Sequence, residues 1–179
     1  MNKRTPVCLV LKSAVLLVTL LCVFPLFATN PQKKEMKELN VKKVSLANVA
    51  VENIPALLDK EKVAFQSINT VNWKTFPYQP EVQFRIAHTD DAILVHYKVK
   101  EASVRAVAAG DNGAVWEDAC VEFFSIPAGD GIYYNVECNC AGILLIGAGA
   151  GRENREHAPQ EVMDKVQRWS SLGRQSFEE

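Results

Sequence analysis

Apolar side chains alternate with polar ones at Val82, Phe84 and Ile86, and again at Ile93, Val95, Tyr97 and Val99. Period-two spacing puts each set on one face of a strand. The intervening "HTDDA" supplies turn residues, so this stretch predicts a β-hairpin with one face buried. A third strand is expected at "CVEFFSI", closed by the Pro and Gly of "PAGDG". A fourth is expected to run through "IYYNVECNCAGILLIGAG". Weaker alternation from Val41 suggests an earlier strand, and "NIPALLDKE" predicts one or two helical turns opened by Pro55. Towards the end, Pro159 can open a helix carrying Val162, Val166 and Trp169 at helical spacing before Gly173, with no strand expected after it. Several strands at short spacing, with little helical pattern, predict an all-β chain: an antiparallel β-sandwich, jelly-roll-like, with short helical segments.

A different pattern opens the chain. Lys3 and Arg4 precede an apolar run from Val7 to Leu26 that ends near the small Ala28. This is the layout of a secretory signal. The run is also about the ~20 residues that a transmembrane anchor needs, and Cys22 after "TLL" offers a lipoprotein site with Leu where a small residue is usual. The polar "TNPQKK" after Ala28 favours cleavage. The expected organisation is therefore a signal peptide over 1–28, a Lys-rich tether over 29–44 and one β-sandwich domain over 45–179. The mature protein is expected in the periplasm or at the cell surface, without membrane insertion. Loss of Lys3, Arg4 and Lys12 lowers the basic residues from 20 to 17 against 21 acidic ones, a net charge of about −4. Such a balance gives nucleic acid or an anionic membrane surface no electrostatic hold.

Export would leave Cys120, Cys138 and Cys140 in an oxidising compartment. Cys138 and Cys140 project the same way from one strand, whereas Cys120 could meet either from a neighbouring strand. Three small, buried, unpaired side chains are the alternative. Zinc is not expected from this pattern, because no fourth ligand is spaced nearby and His88, His96 and His157 are scattered. Calcium suits the oxygen-rich turns "HTDD" and "GDNG", although ordinary turns have the same composition. No other cofactor is expected.

The candidate chemistry gathers around "AVWEDACVEFF", residues 114–124. By parity Tyr133, Asn135, Glu137 and Asn139 line one face of the following strand, a row of groups able to satisfy sugar hydroxyls. A solvated outer face is the plainer explanation of such a row. Trp116 shifts the balance, since it follows a Gly-containing loop and precedes the strand proper, where an indole can pack against a pyranose. Catalysis by the acids is the rival reading. Glu117 and Asp118 point opposite ways, however, and Asp118 and Glu122 stand roughly 13 Å apart along a strand.

"NWKTFPYQPEVQFRIAHTDDAILVHYKVKE", "DNGAVWEDACVEFF" and "DGIYYNVECNCAG" together resemble the carbohydrate-binding module family 9-like proteins exported by Bacteroides-type bacteria. The resemblance runs from about Ile54 onwards. It implies a β-sandwich, often attached to a xylanase, that grips an oligosaccharide or polysaccharide chain end between two tryptophans without cleaving it. On that resemblance Trp116 matches the first tryptophan, Glu122 the hydroxyl-binding glutamate and Asn135 a binding asparagine. The arginine expected two positions earlier is Tyr133, and Trp169 is the late candidate for the second tryptophan, although its spacing favours core packing. Relatives also continue past residue 179, which implies a shortened member. A glycoside hydrolase is the implied partner, in polysaccharide breakdown. The alternatives are a xylanase-type glycoside hydrolase and a periplasmic structural or interaction protein.

Overall fold

The computed structural model describes residues 38–46 and 49–178, so the signal segment and most of the tether lie outside the described residues. Within them the chain forms β1 (Lys42–Lys43), α1 (Ile54–Lys60), β2 (Gln66–Ile68), β3 (Glu81–His88), β4 (Ile93–Lys100) and β5 (Arg105–Ala106). There follow β6 (Cys120–Ser125), β7 (Tyr133–Asn139), β8 (Leu144–Gly149), β9 (Arg155–His157), α2 (Gln160–Met163) and β10 (Phe177–Glu178). β3 is flanked by β4 on one edge and by β1 and β2 on the other, while β6, β7, β8 and β9 form a second sheet in that order. Every pairing except β1 with β3 is antiparallel. The fold is the expected all-β, antiparallel sandwich class with short helices.

The predicted hairpin forms in full register, with Val82 opposite Val99, Phe84 opposite Tyr97 and Ile86 opposite Val95. Its turn is closed by the Thr89 side chain, whose Oγ1 accepts from the Ala92 amide at 2.9 Å. The more deeply buried face is the opposite one. Arg85, Ala87 and Leu94 are buried, whereas Val82, Phe84, Ile86, Val95 and Tyr97 are half-buried and Val99 is exposed. The reason is α1, whose Ile54 and Leu58 pack with Val44, Ala87 and Leu94 into one core cluster. Pro55 stands in the first turn of that helix, where a missing N–H costs nothing.

Arg85 survives in this core because every side of its guanidinium is met. It reaches Asp59 at 2.6 Å, the Pro55 carbonyl at 2.9 Å and His96 Nδ1 at 3.1 Å, and lies 4.4 Å from the centre of the Phe65 ring. Burial, and then the charge of Arg85, hold His96 below the usual imidazole range. Its neutral Nδ1 can therefore accept.

Four expectations need correction. The tether does not reach residue 44, because Lys42 and Lys43 pair with Ala87 and His88. The long fourth strand is two strands, β7 and β8, turned at Gly142 with φ +75°. Asn139 Oδ1 closes that turn by accepting from the amides of Ala141 and Ile143, a side-chain mimic of a backbone turn. The C-terminal helix is the single turn α2, and Trp169 is 50% exposed rather than core. Here Arg168 binds Asp111 and the Ser170 hydroxyl binds the Cys140 carbonyl, drawing the chain off the helical path. Finally, a strand does follow: β10 pairs with β5, two residues each, too short for any alternation to announce it.

The second sheet has its own cluster. Leu144, Ile146 and Met163 are buried, with Val136, Cys138 and Val166 against them. The two sheets meet where Tyr97 Oη donates to the Glu122 carbonyl at 3.0 Å.

Candidate functional site

Trp116 lies in a single 3-10 turn, Val115–Glu117, immediately before β6. Its indole is 56% exposed, yet the residues on either side are fixed. Val115 is wholly buried. Asp118, with a side chain only 1% exposed, accepts from the amides of Val107 and Ala108 at 3.0 Å each and from Asn139 Nδ2 at 2.8 Å. Burial alone would raise the pKa of Asp118; these three bonds and Arg105 outweigh it and hold the carboxyl below its ordinary range.

Upstream, the loop is clamped to β8. Asp111 Oδ1 accepts from the Leu144 amide at 3.0 Å, and Asn112 exchanges backbone and side-chain bonds with Leu144, Ile146 and Ala158. Asn112 holds φ +59°, a left-handed conformation that asparagine tolerates. Arg168 clasps the same Asp111 with both nitrogens. The segment bearing Trp169 is thereby bound to the loop bearing Trp116. Among the described residues no aromatic ring stacks on either indole.

The β6–β7 register sets Glu122 opposite Glu137, Cys120 opposite Asn139 and Phe124 opposite Asn135. Opposed residues share a face, so the polar row of β7 lies beside Glu122 as parity predicts. That row is not solvated. Asn135, Glu137 and Asn139 are 0%, 5% and 3% exposed, respectively. The cover comes from β9, whose Arg155 lies over the Tyr133 ring at 5.7 Å and stands 3.6 Å from Glu137 Oε1. Tyr133 also meets the edge of Phe124, with ring centres 5.8 Å apart. An arginine thus reaches this face from a strand that the sequence pattern did not disclose.

Of the sequence-predicted residues, Trp116 and Glu122 are exposed, Tyr133 is half-buried, Asn135 is enclosed, and Trp169 is exposed on its clasped segment. Asn135 Nδ2 donates to Glu137 Oε1 at 2.7 Å. Among the described residues, Asn135 Oδ1 and Glu137 Oε2 are buried side-chain oxygens without a hydrogen-bond partner. Each such atom costs about 1–3 kcal/mol. Glu122 is raised above the usual carboxylate range by burial first and by the charge of Glu137 second.

The cysteines do not pair. Cys120 shares the face of Asn139, so Cys138 and Cys140 project from the other side of the sheet, and all three are free thiols. Burial, then Glu122 and Glu137, push the Cys120 thiol up to about 12.

Gly147 makes the close packing of this face possible. A Cβ there would stand 2.6 Å from Asn135 Oδ1. Gly147→Ala is expected to cost about 1–2 kcal/mol by overpacking, measured as a lower urea midpoint with an unchanged slope.

The sequence profile described as Carbohydrate-binding family 9 matches residues 52–179. A solved crystal structure with 62% identity and a TM-score of 0.76 is that of a Bacteroides uniformis protein bearing the provisional name carbohydrate-binding protein. The match covers 79% of this chain and 66% of the other, so the chain spans just under two thirds of that relative's length. Comparison with curated proteins gives no match. With the family profile running unbroken through the Trp116 turn, β6, β7 and β8, the chain belongs to carbohydrate-binding family 9.

Proposed function

We propose that this chain binds a saccharide chain end without cleaving it, on the surface formed by Trp116, Glu122 and Tyr133. The observation that carries this reading is Trp116 itself: a 56% exposed indole between a buried valine and a triply bonded aspartate whose side chain is 1% exposed. A large apolar ring held rigidly in solvent loses little entropy on stacking against the C–H face of a sugar. In this reading Glu122 supplies hydroxyl acceptors and Trp169 the second aromatic, while Asn135 is engaged with Glu137 at 2.7 Å. Family membership and the name of the Bacteroides uniformis relative support the same class of ligand. Export through the N-terminal segment and work beside a glycoside hydrolase belong to this proposal.

Hydrolysis is disfavoured by the same geometry. Glu122 and Glu137 are neighbours, but they project from adjacent strands on one face, and Glu137 is sealed at 5% exposure. A glycosidase needs its two carboxyl groups on either side of the bond that is cut. Titration calorimetry with xylo- and cello-oligosaccharides, beside a reducing-sugar assay, tests the reading. Binding without release of new reducing ends is expected. Absence of heat with every sugar would sink the proposal, and turnover lost in Glu122→Gln would replace it with a hydrolase.

A further inference from the structure

Of the Cys120, Glu122 and Glu137 cluster, only Glu122 is assigned a contact with sugar. Cys120 and Glu122 are two apart on β6, and Glu137 faces Glu122 across the ladder. One ligand atom from each lies within 4.8 Å of the others. Two like charges set directly opposite each other destabilise an antiparallel pair. Arg155, 3.6 Å from Glu137 Oε1, and Asn135, which bonds that same oxygen, both engage one oxygen of Glu137 only. Glu137 Oε2, on a side chain 6% exposed, has no partner among the described residues. A buried carboxylate oxygen left bare beside a second carboxylate and a thiol points to a cation.

The donor set decides which cation. Calcium and magnesium take oxygen ligands and have no use for a thiol, whereas zinc accepts sulfur and carboxylate together and is satisfied by four ligands. From these residues we propose that Cys120, Glu122 and Glu137 bind a Zn²⁺-class ion, with water as the fourth ligand. Coordination exchanges the S–H bond of Cys120 for a metal–sulfur bond and releases that proton to solvent. A tetrahedral centre needs its ligand atoms about 3.3–3.5 Å apart. Glu122 is exposed and closes the difference by changing rotamer while the enclosed Glu137 stays fixed. Reading ligands along the chain grouped Cys120 with Cys138 and Cys140; the sheet register groups it with the two glutamates instead.

The test is a Co²⁺ titration of the untagged, reduced chain, followed by Zn²⁺ displacement and calorimetry with Zn²⁺ and Ca²⁺. One equivalent of Co²⁺ should give a sulfur-to-cobalt charge-transfer band that Zn²⁺ removes. Cys120→Ser should lose that band. Glu137→Gln, which keeps the shape of the side chain, should weaken Zn²⁺ at least about tenfold, since even an outer partner of a ligand is worth that much. Urea unfolding of both variants shows that they remain folded. No band, a band that persists in Cys120→Ser, or Ca²⁺ bound as tightly as Zn²⁺ would each overturn the proposal. Failure of every sugar to bind would leave the cobalt band unchanged, so the two readings fail separately.

Discussion

Asp118→Ala is expected to lower the free energy of unfolding by about 3 kcal/mol, since hydrogen bonds to a charged group contribute about 1.5–3 kcal/mol each and one of the freed amides regains water. Its carboxylate ties the amides of Val107 and Ala108, after β5, to Asn139 at the end of β7. Against a total of about 5–15 kcal/mol for a domain, that loss is large. Urea unfolding at pH 7 measures it directly. The pH dependence follows from the depressed pKa of this carboxyl. A carboxyl lowered in the folded state contributes stability above its unfolded value, about 3.9, and loses it as pH falls through the folded value. The gap between wild type and variant should therefore be full at pH 7 and shrink below about pH 4. A gap that stays constant down to pH 2 would show that the variant acts through packing rather than through charge.

Trp116→Ala is expected to weaken saccharide binding by about 1–3 kcal/mol, which is roughly 5–150-fold in Kd. The loss should fall on affinity alone. Val115 and Asp118 fix the turn through their own contacts, and the indole is more than half in solvent. Unfolding midpoints of variant and wild type should coincide within error. Trp73→Ala is the matched control, since Trp73 is 68% exposed in the loop between β2 and β3, outside the residues assigned to the sugar surface, and its loss should leave Kd unchanged. Equal loss in both variants would mean that the aromatic surface is diffuse and that Trp116 has no special place in it.

Much of the strand content was legible because alternation survives wherever a strand has two unlike faces. The β3–β4 hairpin, β6 and the helix after Asn53 all stand where the pattern puts them. Which face is buried was not legible. Parity separates the sides of β7, but the cover over Asn135 and Glu137 arrives from Arg155 on β9, a three-residue strand with no period of its own. α1 likewise seals the polar-looking face of β3 through contacts between residues about 30 apart, such as Arg85 with Pro55. The turn at Gly142 is hidden because the alternating "NVECNC" runs into the apolar "ILLI" with only Ala141 and Gly142 between them. In the site, the exposed Trp116 could be anticipated from its place after a Gly-containing loop. The Glu122–Glu137 opposition could not, because it depends on a register set by the β6–β7 ladder rather than by spacing along the chain.

None of Trp73, Trp116 and Trp169 is buried: they are 68%, 56% and 50% exposed, respectively. Indole emission shifts to the blue when water leaves the ring. The native chain should therefore already emit at the long wavelengths usual for unfolded proteins, and denaturant should move that maximum very little. A fluorescence melt would undersell the stability of this fold, whereas a sugar docking on Trp116 would displace water from an indole and shift the spectrum. On the saccharide reading, its intrinsic light would report occupancy rather than folding.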